Sequence, residues 1–110
     1  MRRWIVGSLV VVLTCVGGLT AGVAQQSVVV EMRNYAFYPR DTIIPAGSTV
    51  RWINFDEAPH AIAMTGGRPG SSPLIEPDKD YAFTFAQPGQ FAYRCAVHPT
   101  MLGVVVVNAP

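Results

Sequence analysis

Short apolar runs separated by proline, glycine, asparagine and aspartate make up most of the chain after residue 26. Within 49–54, Val50 and Trp52 fall on one face, as in a strand with one buried side. The run 102–107 is almost wholly apolar, which is typical of a strand deep in a sandwich. No long stretch has a helical period. The pattern predicts an antiparallel β-sandwich or barrel of seven to eight strands, at 27–32, 35–38, 42–44, 49–54, 60–64, 80–85, 90–94 and 102–107.

The first 24 residues have a different character. Arg2 and Arg3 precede an uncharged, mostly apolar run, and Gly22-Val23-Ala24 is a small-x-small site. This pattern predicts a secretory signal peptide over 1–24 that is cleaved after Ala24, which leaves one domain over 25–110. Three alternatives use the same residues: an uncleaved membrane anchor, a lipoprotein site at Cys15, and a twin-arginine signal.

Composition narrows the function further. The chain has 110 residues, of which 14% are charged, and a formal net charge of +1, which becomes −1 when Arg2 and Arg3 leave with the leader. No basic cluster exists to neutralise phosphates, which excludes a nucleic-acid binder. The mature chain keeps a single cysteine, Cys95, which has no partner for an internal disulfide. A small domain without disulfides often uses a bound metal for stability.

The chemically versatile side chains are concentrated in two places. Cys95, His98 and Met101 form a C-x2-H-x2-M motif between two predicted strands, and His60 ends the loop that follows the Trp52 strand. A thiolate, two imidazoles and a thioether are the donors of a blue-copper electron-transfer site. Each residue alone would be read as packing or surface, and we read Met32 and Met64 in that way. Together the four predict a copper site.

Three segments of the mature chain resemble the cupredoxins, and in particular the small amicyanin and plastocyanin types. They are 49–54 (TVRWIN), 58–60 (APH) and 93–101 (YRCAVHPTM). The resemblance covers Val28 to Asn108 and implies a Greek-key β-sandwich with one type 1 copper ion at one end, cycling between Cu(II) and Cu(I). By analogy His60, Cys95 and His98 are the strong ligands and Met101 the weak axial one. It also implies that the exposed edge of His98, within an apolar patch, is where electrons enter and leave.

The residues next to the expected ligands depart from the family pattern. Relatives usually have Asn after the first His and Ser or Thr after the Cys, joined by a side-chain tether; Ala61 and Ala96 stand there in this chain. We expect a less rigid Cys95 loop. Val97 replaces a frequent proline, so its N–H is available to donate to the Cys95 sulfur besides the N–H of Ala61 and to raise the reduction potential. Pro99 fixes the backbone after His98.

The expected function is an exported one-electron carrier and not an enzyme. The resemblance suggests a dehydrogenase, a c-type cytochrome or an oxidase as redox partner, and leaves the choice among them open. We expect a monomer that touches a membrane only if the leader is retained. The resemblance also suggests that His98 protonates and leaves the metal in the reduced state at low pH. The alternative function is copper binding or delivery; cysteine-based catalysis and structural zinc are disfavoured, because no group orients a base and Met is a poor zinc ligand.

Overall fold

The structure, a computed structural model, describes residues 26–110, so the predicted signal peptide lies outside it. Eight strands form two sheets of four. In the first sheet the order is β2-β1-β4-β6, and in the second it is β3-β8-β7-β5. The strands are β1 (Ser27–Arg33), β2 (Ala36–Tyr38), β3 (Asp41–Pro45), β4 (Ser48–Asn54), β5 (Ile62–Met64), β6 (Asp80–Phe85), β7 (Gly89–Cys95) and β8 (Leu102–Asn108). Within this described part no helix has the length and apolar character to cross a bilayer.

The predicted β-sandwich is confirmed, and each sheet also contains one parallel pair. β1 lies parallel to β4, and β3 lies parallel to β8. The chain leaves the first sheet for β3 and returns to it as β4, which lies beside β1 and runs in the same direction. The sheets are mixed where the sequence predicted antiparallel pairing.

Two strand boundaries differ from the prediction at positions that matter for the site. The second strand begins at Ala36 because Asn34 and Tyr35 form a two-residue turn with φ of 54° and 58°. The fifth begins at Ile62, and His60 instead makes an isolated bridge to Ile75. Both departures leave their residues at the end of the sandwich where β1, β4 and β7 end.

The core lies between the two sheets and is rich in aromatic rings. The Trp52 ring packs edge-on against Tyr93 across the sandwich, with centroids 5.4 Å apart. Gly103 is paired with Tyr93 across β7 and β8, and a methyl group at Gly103 would overlap the tyrosine ring. Met32 and Met64, read from the sequence as packing or surface residues, are both buried in the core. The main buried apolar residues are Val30, Met32, Phe37, Ile44, Val50, Trp52, Ile62, Met64, Phe85, Tyr93, Val105 and Val107.

Candidate metal centre

The segment from the end of β7 to the start of β8 carries three of the four predicted metal ligands. Cys95 is the last residue of β7, and Met101 directly precedes β8. The N–H of Met101 donates to the carbonyl of His98 at 2.9 Å, and the N–H of Cys95 donates to the carbonyl of Met101 at 3.0 Å. The two strands and these two bonds fix both ends of the loop, so the side chains of Cys95 and His98 are held by backbone geometry.

A buried asparagine organises the loop that delivers His60. The Asn54 side-chain amide donates to the carbonyls of Ala58 at 2.8 Å and Ile75 at 2.9 Å. Its oxygen accepts the N–H of Asp56 at 2.8 Å. His60 then pairs with Ile75 through two backbone bonds, N–H to carbonyl in both directions. Asn54, which has no exposed surface, therefore satisfies three backbone groups of the loop at once.

The side chains of His60, Cys95 and His98 converge on one point. The two Nδ1 atoms lie 3.2 Å apart, and the Cys95 sulfur lies 3.6 Å from His60 Nδ1 and 3.7 Å from His98 Nδ1. The centre of this triangle is about 2 Å from each atom, which is the length of a metal–imidazole bond. Two nitrogens and a sulfur grouped in this way could hold a metal ion, and the donor set suits copper.

Asp56 fixes the orientation of the His60 ring. Its carboxylate lies 2.8 Å from His60 Nε2, which places the proton on Nε2 and leaves Nδ1 free to face the sulfur. Burial raises the pKa of Asp56, but hydrogen bonds from the N–H of Tyr35, from His60 and from the N–H of Asn34 outweigh burial, so the pKa lies below its ordinary value. The Asp56 side chain is only 11% exposed, so this carboxylate is largely removed from solvent.

The Cys95 sulfur receives one backbone hydrogen bond among residues 26–110. Ala61 N–H donates to it at 3.4 Å, as expected. The N–H of Val97, the expected second donor, makes no hydrogen bond to the sulfur within residues 26–110, and the Val97 side chain is exposed. In the same loop the N–H of Ala96 donates to the carbonyl of Ala61 at 3.0 Å. Pro99, after His98, is exposed.

Met101 is the fourth predicted ligand. Its side chain is buried, and its backbone bonds place it beside Cys95 and His98. Its role as a weak ligand stays a prediction.

Exposure differs between the two histidines. His60 and Cys95 have no exposed surface, whereas His98 is half-buried. Tyr35, which the sequence did not single out, lies edge-on against both imidazoles, with centroids 4.7 Å from His98 and 5.4 Å from His60. The only sequence signal for Tyr35 was the Asn34-Tyr35 pair between two short strands, typical of a two-residue hairpin turn with Asn in the left-handed region.

Four exposed apolar side chains lie next to site residues in the chain or contact them. Tyr35 touches both imidazoles, Phe55 precedes Asp56, Leu74 precedes the His60 partner Ile75, and Val97 precedes His98. They bring apolar surface to the end of the sandwich at which His98 meets solvent.

Comparison with known proteins agrees with the fold. The family described as "Cupredoxin-like domain" matches residues 6–107. Amicyanin of Paracoccus denitrificans is 32% identical over 92 residues, which are 80% of this chain and 70% of that protein. Amicyanin of Paracoccus versutus is 34% identical with the same coverage.

Comparison with solved structures also finds similarity to amicyanin. The crystal structure of amicyanin from Paracoccus versutus (Thiobacillus versutus) is 32% identical, covers 79% of this chain and 86% of its own, and has a TM-score of 0.70. A Cu(I) form of an amicyanin mutant, also 32% identical, covers 79% and 87% with a TM-score of 0.71.

Proposed function

This chain belongs to the cupredoxin-like family, and we propose from that membership that it carries single electrons between redox proteins through one copper ion. The bound ion would supply the redox chemistry, as Cu(II) in one state and Cu(I) in the other. His60, Cys95 and His98 would be the strong ligands and Met101 the weak one. The observation that carries the proposal is the triangle of two Nδ1 atoms and one sulfur with sides of 3.2, 3.6 and 3.7 Å.

The surroundings of the donors suit rapid electron exchange. Asp56 holds His60, the backbone bonds of the β7–β8 loop hold Cys95 and His98, and Ala61 N–H supports the sulfur. Donors held in this way do not rearrange when the charge at their centre changes, which lowers the barrier to electron transfer. A thiolate with a single N–H donor keeps most of its electron density for the metal.

His98 is the proposed point of electron entry and exit, because it is the half-buried member of the triangle. A redox partner would approach over the exposed apolar side chains near it. The predicted mature charge of −1 provides no strong field to steer that approach, so apolar contact would dominate recognition. A dehydrogenase, a c-type cytochrome or an oxidase fits this description, and export through residues 1–24 would place the protein in the periplasm.

Copper delivery is the less favoured function. A delivery protein needs donors that an incoming ligand can reach, and His60, Cys95 and Met101 are buried. Catalysis by Cys95 is disfavoured by the same burial.

Absorption and electrochemistry of the copper-loaded protein test the proposal. We expect an intense blue colour that is lost in Cys95→Ala, and a reversible one-electron wave. Met101→Leu should retain the colour and raise the potential, because losing a thioether donor disfavours the more electron-poor Cu(II). Met64→Leu, a buried methionine of β5, is the matched control and should leave the potential unchanged. A colourless protein, or equal potentials in both methionine variants, would contradict the ligand assignment.

A further inference from the structure

The turn between β1 and β2 has a backbone conformation that its sequence does not favour. Asn34 and Tyr35 both have positive φ, at 54° and 58°. Asparagine tolerates this left-handed region, but a bulky residue such as tyrosine is an outlier there. Strained positions persist where the surrounding structure over-determines them, and they concentrate at functional sites.

The surrounding structure that holds this turn is the Asp56 carboxylate. Its Oδ1 accepts the N–H of Asn34 at 2.7 Å, and its Oδ2 accepts the N–H of Tyr35 at 3.0 Å. The same Oδ2 lies 2.8 Å from His60 Nε2. One anion therefore binds the turn and a proposed ligand together, although the turn and the carboxylate are 21 and 22 residues apart in the chain.

The conformation of the turn directs the Tyr35 ring onto the histidine pair. The ring planes of Tyr35 and His98 meet at 87°, and those of Tyr35 and His60 meet at 88°. These are edge-to-face contacts, the favourable arrangement for aromatic pairs. The two imidazoles also meet edge-on, at 70°, with centroids 5.0 Å apart. The three rings thus fix one another in a cluster whose outer member, Tyr35, is 52% exposed.

We propose that Tyr35 is a positioning residue, which holds the His98 and His60 rings in the orientation that a metal ion needs before any ion binds. The inference rests on the proposed function only in treating those rings as ligands. The half-buried His98 is the ring most in need of support, since Asp56 already holds the buried His60. A pre-ordered donor pair binds its ion more tightly, because no fraction of the protein is lost to incompetent ring orientations.

The first test uses the copper-free protein, so it does not depend on electron transfer. Tyr35→Gly removes the ring and suits the positive φ of the turn. We expect the order parameter of the His98 ring, measured by NMR relaxation, to fall from about 0.85 to below about 0.6. Tyr35→Phe keeps the ring and should restore the original order. Tyr38→Ala, which removes an exposed tyrosine on the same hairpin, is the matched control and should leave His98 ordered.

The second test uses copper as the probe. In a competition with a Cu(I) chelator, Tyr35→Gly should bind Cu(I) about three- to tenfold more weakly than the parent, and Tyr35→Phe should bind as the parent does. The Cu(II) electron paramagnetic resonance spectrum should be broader for Tyr35→Gly than for the parent, whereas that of Tyr35→Phe should match the parent. Should Tyr35→Gly not fold, Tyr35→Asn also suits the turn and lacks the ring.

An unchanged His98 ring order in the folded glycine or asparagine variant would overturn the inference, as would disorder that Tyr35→Phe fails to rescue. Failure of the parent protein to become blue would instead overturn the proposed function and leave the NMR result standing.

Discussion

The backbone N–H of Ala96 donates to the carbonyl of Ala61 at 3.0 Å, which joins the loops that carry the Cys95 and His60 side chains. The two positions at which relatives place a side-chain tether are thus already in contact through the main chain. Ala61 is buried and Ala96 is exposed. Because the two positions already lie next to each other, suitable side chains placed there could form the missing tether.

We expect Ala61→Asn with Ala96→Ser to raise the unfolding temperature. A new hydrogen bond contributes about 1 kcal/mol, equivalent to about 4–8 °C for a domain of this size. Ala61→Asn alone should lower the unfolding temperature, because it buries an amide without its partner. Calorimetry of all four proteins, copper-free, measures the coupling between the positions. Additive effects of the two changes would show that no tether had formed.

Val97→Pro should leave the reduction potential unchanged. The substitution removes an N–H, but within residues 26–110 that N–H makes no hydrogen bond to the Cys95 sulfur, whereas Ala61 N–H does. A donor to the thiolate raises the potential only if it reaches the sulfur. Cyclic voltammetry of the variant beside the parent measures the effect. A clear fall in potential would mean that Val97 donates once copper is bound.

Asp56→Asn should loosen the turn between β1 and β2. An amide oxygen cannot replace both carboxylate oxygens that accept the N–H groups of Asn34 and Tyr35. We expect a loss of about 1–3 kcal/mol in the free energy of unfolding and faster hydrogen exchange at these two amides. The matched control is Asp41→Asn, which breaks an exposed ion pair with Arg40 and should change stability by less than about 1 kcal/mol. Equal losses in both variants would contradict the role of Asp56 in holding the turn.

Gly103→Ala should destabilise the protein by about 1–3 kcal/mol, because the new methyl group overlaps the Tyr93 ring inside a packed core. The control is Gly66→Ala, where the methyl group meets open space. Denaturant unfolding measures the free energy of unfolding of both variants, and an unchanged m-value shows that only stability differs. A Gly103→Ala protein as stable as the Gly66→Ala protein would mean that the Tyr93 ring can move aside.

Alkaline pH should destabilise the protein through Tyr93. Burial raises the pKa of Tyr93 from 10.0 to about 12. The neutral phenol is favoured in the folded state, so its stabilising effect is complete below pH 10 and is lost as the pH rises towards 12. The loss is about 2–3 kcal/mol, and Tyr93→Phe should not undergo it. Tyr38→Phe, at an exposed position, should lose as much as the parent. The free energies of unfolding of the parent, Tyr93→Phe and Tyr38→Phe, measured between pH 9 and 12, test this prediction.

The sequence predicted those parts of the site whose chemistry is rare. Cys95, His98 and His60 stand out because residues 25–110 contain so few soft ligands, and the structure brings all three together. The β-sandwich could be predicted because the alternation of apolar residues such as Val50 and Trp52 indicates strands with one buried face.

What the sequence could not provide is the set of contacts between distant segments. Asp56 resembles any surface acid until the fold places it against Tyr35 and His60. Asn54 acquires its role only when Ile75 lies beside it. Which backbone N–H reaches the Cys95 sulfur, that of Ala61 and not that of Val97, depends on how two separate loops meet, and no pattern of residue types encodes that contact.

The burial of Cys95 protects its thiol in the copper-free protein. It is the one cysteine of residues 26–110, and its sulfur has no surface open to solvent. Oxidation to sulfenic acid or to a mixed disulfide requires a thiolate that another reagent can touch. In an oxidising compartment the copper-free protein is therefore expected to keep its thiol reduced, so that it can fold before copper binds.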